Sequence, residues 1–134
     1  MSNKGFTLVE LLIVIGIITV LSAGIIIAIN PALQMEQARD RQREAHVSAL
    51  YGALTEYRSR EGEWPGCVSG APEDVYYCDE LTHDFIANIP EDPSDDCDEG
   101  ITGYFVKEST GGRVGVRAEC TETSDTKIKA GTWD

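Results

Sequence analysis

The chain has 134 residues, with 11 basic and 23 acidic side chains giving a net charge of −12. That is room for one modest domain, and the acidity opposes sequence-independent capture of nucleic acid, which needs a basic footprint. No GxSxG, HExxH or P-loop is present, and His46 and His83 lack an adjacent nucleophile or a metal-ligand spacing, so no enzyme is indicated.

In chain order, the first element is an apolar run from Phe6 to Ile29, 24 residues in which Glu10 is the only charged side chain. As a helix rising about 1.5 Å per residue it spans roughly 36 Å, enough for a hydrocarbon core of about 30 Å. A secretory signal peptide fits less well, because its apolar region is usually about 7–15 residues long. Lys4 precedes the run and no basic cluster follows it directly, which leaves the N-terminus in the cytoplasm and exports the chain after Asn30. A carboxylate in such a helix costs about 2.5–3.5 kcal/mol at its middle and less near an end. No basic side chain of the helix can reach Glu10, so a partner is expected from elsewhere. A cut between Gly5 and Phe6 would supply one, the new α-amino group, on the same chain or on a second. Gly16 and Gly24 interrupt the run, and Gly24 with Ala28 gives a weak small-xxx-small spacing.

The stretch Lys4-Gly5-Phe6-Thr7-Leu8-Val9-Glu10-Leu11-Leu12-Ile13-Val14-Ile15 closely resembles the N-terminal signature of type IV pilins and pseudopilins. The resemblance implies a leader over 1–5, cleavage after Gly5 by a prepilin peptidase and N-methylation of Phe6. It also implies that residues 6–29 cross the cytoplasmic membrane before assembly and form the core of a homo-oligomeric helical filament afterwards. Glu10 would then pair with Phe6 of a neighbouring subunit, through the pilus assembly machinery.

Residues 30–61 read as an amphipathic stalk helix. Asn30-Pro31 permits a fresh start, with Asn as cap and Pro in the first turn, or a kink within one long helix. Val47, Leu50, Leu54 and Tyr57 form one apolar stripe. Continued backwards, the stripe meets Arg43, Asp40 and Glu36, so 33–45 is expected to cover no sheet and ARDRQRE (38–44) to be a solvated face. Gly62 and Pro65 stop the helix, with Trp64 covering its end. Asn30-Pro31, Ala38-Arg39-Asp40, Ala53-Leu54-Thr55-Glu56-Tyr57 and Gly62-Glu63-Trp64-Pro65 also resemble bacterial type IV pilins, less specifically than the start.

Residues 62–134 form the expected extracellular head. Cys67, Cys78, Cys97 and Cys120 contain no CxxC pair, and an even count beyond a membrane segment suggests two disulfides in an oxidising space. Three pairings are open; Cys67–Cys78 with Cys97–Cys120 closes the nearby loops. Residues 66–100 read as a long loop. Tyr104 and Val106, then Val114, Val116 and Ala118, alternate as an antiparallel hairpin around a Ser109–Gly112 turn, with a third short strand near 127–130. Helix first and sheet second is an α+β plan, which also resembles the pilin head.

Six of the nine residues 91–99 are acidic, making Asp92, Asp95, Asp96 and Asp98 candidate Ca²⁺ ligands, though the spacing is not an EF-hand. No other cofactor is indicated. The function expected is that of a structural filament subunit; the alternatives are a pseudopilin of a type II secretion system and a monomeric membrane-anchored binding domain.

Overall fold

A computed structural model describes residues 5–82, 84–123 and 127–134, with backbone alone for 26–29. Lys4, the side chain of Ala28 and His83 lie outside the described residues. The first helix, α1, covers Leu8–Ile29, and the second, α2, Pro31–Glu61. Between them Asn30 takes the left-handed conformation, φ 45°, which Asn tolerates better than most residues. Pro31 then begins α2, where its missing N–H costs nothing. Of the two forms that Asn30-Pro31 allows, the chain adopts the restart.

The chain divides into two compact units, one ending at Met35 and one over Glu36–Asp134. In the first, every described side chain of α1 is exposed. In the second, a core forms on one stripe of α2. Val47, Leu50 and Leu54 pack with Val75, Leu81, Tyr104, Val106, Val114 and Val116. Tyr57 and Trp64 cover the edge of this cluster. Gly62, at φ 86°, ends the helix by donating its N–H to the Arg58 carbonyl at 2.9 Å.

The sheet has four antiparallel strands in chain order: β1 (Glu73–Asp74), β2 (Tyr104–Glu108), β3 (Val114–Ala118) and β4 (Lys129–Gly131). The predicted hairpin is present, with Val106 opposite Val116, and the third strand is β4. The two-residue β1 lies inside the stretch expected to be loop. Asp74, within β1, explains why it stays ordered. Its buried carboxylate accepts the N–H groups of Tyr76, Ile101 and Thr102 and the Thr102 hydroxyl, at 2.6–3.1 Å. One side chain thus ties the strand to a turn and to a segment 27 residues on. A Cys67–Cys78 bridge staples the start of the same loop, as a long irregular segment requires.

The α2 stripe extends further back than hydrophobicity indicates. Asp40 and Arg43 are buried, although ARDRQRE (38–44) is expected to be a solvated face. They are covered by loop and C-terminal chain rather than by sheet, through ion pairs that hydrophobic periodicity cannot register.

β3 and β4 approach closely because Gly115 faces Gly131. A Cβ on Gly115 would lie 2.2 Å from the Thr132 carbonyl oxygen, a backbone atom that cannot swing aside. Gly115→Ala is therefore expected to destabilise the head by about 1–3 kcal/mol, read as a lower denaturant midpoint for the full chain in detergent. An unchanged midpoint would mean that β4 contributes nothing to stability.

Candidate functional site

Two groups of residues carry chemistry, one at the start of α1 and one on α2. At the first, Thr7 has an extended backbone and its hydroxyl accepts the Glu10 N–H at 3.2 Å. The Glu10 carboxylate accepts the Thr7 N–H at 3.0 Å and the Thr7 hydroxyl at 2.9 Å. This reciprocal capping box satisfies two of the N–H groups that a helix start leaves unpaired. It also sets the carboxylate at the positive end of the helix dipole. Glu10 therefore has a hydrogen-bond partner within its own chain, a hydroxyl-bearing residue where a basic one is expected. The signal was legible as Thr7-Leu8-Val9-Glu10, the spacing of a capping box. The capping groups are neutral, so the negative charge itself still lacks a counter-charge.

Phe6 precedes the cap and is 85 % exposed. From Leu8 to Ile25 the mean hydropathy is 2.6 and none of the side chains is buried. Thr19, the other hydroxyl-bearing residue of this stretch besides Ser22, bonds back to the Ile15 and Gly16 carbonyls at 2.8 Å. The helix thus presents a bare apolar surface that water does not suit and that lipid or other helices do.

The second group centres on Arg43, whose side chain has no exposure. Its Nε and one terminal nitrogen donate to the two oxygens of Asp92, each at 2.7 Å. The other terminal nitrogen donates to Asp40 at 2.7 Å, and the one that bonds Asp92 also donates to Glu122 at 3.1 Å. Arg39, one turn back, also forks onto Glu122, with its Nε at 2.6 Å. Asp40 in turn accepts the N–H groups of Glu122 and Thr123 at 3.2 and 2.9 Å. A Cys97–Cys120 bridge joins the two chain segments that carry these acceptors.

The electrostatics follow from these contacts. Asp92 above all holds the Arg43 guanidinium charged, against its burial. Burial opposes ionisation of Asp40, but hydrogen bonds from the Thr123 hydroxyl and N–H and from Arg43 outweigh it and bring the carboxyl down to about 2. Arg39 lowers Glu122 in the same way. His46, whose Nδ1 lies 2.8 Å from the Tyr104 hydroxyl, is pushed down by burial, with Asp92 pulling the other way.

Of the four aspartates expected to hold a cation, Asp92 is committed to Arg43 and to the Ser94 N–H, while Asp95, Asp96 and Asp98 are exposed around the Cys97 bridge. Among the described residues no three His, Cys, Asp or Glu side chains converge as a metal site. Both disulfides join the cysteines that close nearby loops, Cys67–Cys78 and Cys97–Cys120.

Comparison with known proteins bears on the first group. Residues 1–26 match the prokaryotic N-terminal methylation motif. The chain is 48 % identical over 66 residues to a fimbrial protein of Neisseria meningitidis serogroup B, covering 48 % of this chain and 36 % of that one. It is 48 % identical over 65 residues to the fimbrial protein EcpC of Eikenella corrodens, covering 47 % and 40 %. Over its N-terminal half, the chain is similar to fimbrial proteins. A third relative, the type IV major pilin protein PilE1 of Neisseria gonorrhoeae, is 40 % identical over 80 residues, or 54 % of this chain and 46 % of that pilin. The matches thus span less than half the length of these pilins and fimbrial proteins. No solved structure matches the chain at a comparable standard. The matched residues 1–26 contain the Thr7–Glu10 capping box and most of the apolar helix.

Arg43→Met removes the cation and leaves Asp40, Asp92 and Glu122 facing one another out of water. A loss of about 3–5 kcal/mol is expected in denaturant titration, and Arg43→Lys should restore only part of it because an ammonium cannot fork. Acid should act on the same contacts. Carboxylates with depressed values stabilise the fold fully above their ordinary range and lose that stabilisation as pH falls through the folded value. His46 has the same sign, since burial favours its neutral form. The melting temperature should thus start to fall below about pH 6.5 and drop further between about pH 4 and 2. Asp40→Asn should lower it at neutral pH and flatten the lower limb; a limb as steep as in the unaltered chain would show that Asp40 is not the group titrating.

Proposed function

We propose that this chain is a structural subunit of a type IV pilus-like filament. It is stored in the cytoplasmic membrane with its N-terminus inside, cut after Gly5 by a prepilin peptidase, and methylated on the new Phe6 amine. The assembly machinery then draws it into a helical polymer on the cell exterior, with neighbouring copies of the chain as its partners. Its role is mechanical, with no catalytic step.

The observation that supports this most directly is the bare helix with a single charge. From Phe6 to Ile29 the chain offers one carboxylate, Glu10, one helical turn from Phe6. In lipid that charge has only neutral capping groups from Thr7. In a filament core it meets the Phe6 amine of a neighbour. Each of the two charges is costly alone, and pairing them offsets that cost. Because sliding one subunit would leave both unpaired among apolar side chains, the pair also sets axial register. The fimbrial and pilin relatives agree with this reading.

Mass spectrometry of mature material should give a chain that begins at methylated Phe6. Glu10→Ala should insert into membranes as the unaltered chain does yet yield few or no filaments by electron microscopy. Normal filament numbers from that variant, or filaments whose subunits keep Met1, would defeat the proposal.

A further inference from the structure

The end of α2 and the β2–β3 turn enclose a groove of about 350 Å³ lined by Tyr51, Arg58, Trp64 and Arg113, among others. Trp64 fixes its floor by donating its indole N–H to the Gly112 carbonyl at 3.2 Å. The Arg58 guanidinium lies 4.5 Å from the centre of the Trp64 ring, a stacking that leaves its hydrogen-bonding edge free. Arg60 lies close by in sequence over the ring of Phe85, at 5.3 Å. Glu61 and Glu63 flank the helix end, but no carboxylate lines the groove.

Acids outnumber bases two to one, and Arg39, Arg43 and Arg117 each pair with a carboxylate. Among the described residues Arg58 and Arg113 form no ion pair, although both are exposed. Their complement exists elsewhere on the same head. Asp95, Asp96, Asp98 and Glu99 are exposed and form no ion pair among the described residues. The loop that carries them is held firm, by Asp92 on Arg43 and by the Cys97–Cys120 bridge.

Within one chain the two cannot meet. Arg43, which anchors the acidic loop, and Arg58 are fifteen residues apart on one continuous helix, about 22 Å along its axis. We propose that the Arg58–Trp64–Arg113 groove receives the acidic 91–99 loop of a second copy of this chain. Two unlike patches on one molecule make a head-to-tail contact, and such a contact propagates rather than closing as a dimer does. The inference rests on the filament reading above and specifies which head surfaces meet in the polymer. Single exposed ion pairs contribute little, but here several converge beside an aromatic ring and recur at every subunit.

The test uses the full chain in cells that assemble filaments, with filaments counted by electron microscopy against membrane-stored subunit. Arg58→Glu/Arg113→Glu and Asp95→Arg/Asp96→Arg should each reduce the count by about five-fold or more, because every contact loses its attractions and gains like-charge repulsion in their place. Combining all four exchanges the charges and should restore the count to within about two-fold, which a folding defect would not do. Separately, Asp96→Cys/Arg113→Cys filaments, oxidised gently, should give a ladder of linked subunits on a non-reducing gel. Undiminished counts in both charge-reversed variants, or filaments of the double cysteine variant that give no ladder, would overturn the groove assignment. Absence of filaments from the unaltered chain would instead overturn the filament reading itself.

Discussion

A guanidinium without access to water organises the head. Arg43 must find acceptors for its N–H groups inside the protein, and it finds them on three different segments: Asp40 on its own helix, Asp92 in the acidic loop and Glu122 beyond β3. A buried charge left unpaired costs several kcal/mol, so the three segments are held together by a requirement rather than by a preference. The position of the acidic loop, the path of the chain after Cys120 and the burial of Asp40 all follow from it. A hydrophobic pair at this place would confer comparable stability, but it would not dictate which carboxylate goes where.

What the sequence disclosed, and what it concealed, divides along the same line. Properties that depend on near neighbours were open to reading. The apolar run, the stop at Gly62, the stripe Val47–Leu50–Leu54 and the alternation through Tyr104–Ala118 depend on periodicity or on the backbone preferences of single residues. The disulfide pairing that closes the shortest loops is also the observed one. Concealed were the features that depend on distant partners. Arg43 appeared as an interruption of the apolar stripe because its partners are 49 and 79 residues away. β1 was invisible because two residues carry no period, and its order comes from Asp74 holding Ile101 and Thr102. Six acids in nine residues suggested a cation, yet the chain supplies its own to one of them, through the Arg43 side chain.

At the other end of the molecule the same physics has a different resolution. Glu10 is satisfied as a hydrogen-bond acceptor by Thr7 but not as a charge. Arg43 finds its counter-charges within the head, whereas α1 offers none to Glu10.

The distance along the chain between Arg43 and its acceptors has a temporal consequence. Synthesis delivers the cation long before Asp92, and Asp92 well before Glu122 and the second cysteine of the bridge. The pocket that shields it from solvent is therefore among the last parts to close, and a polypeptide threaded first-to-last through a narrow passage travels with its most demanding side chain still hydrated. Closure of that pocket waits on the segment that carries Glu122 and Thr123.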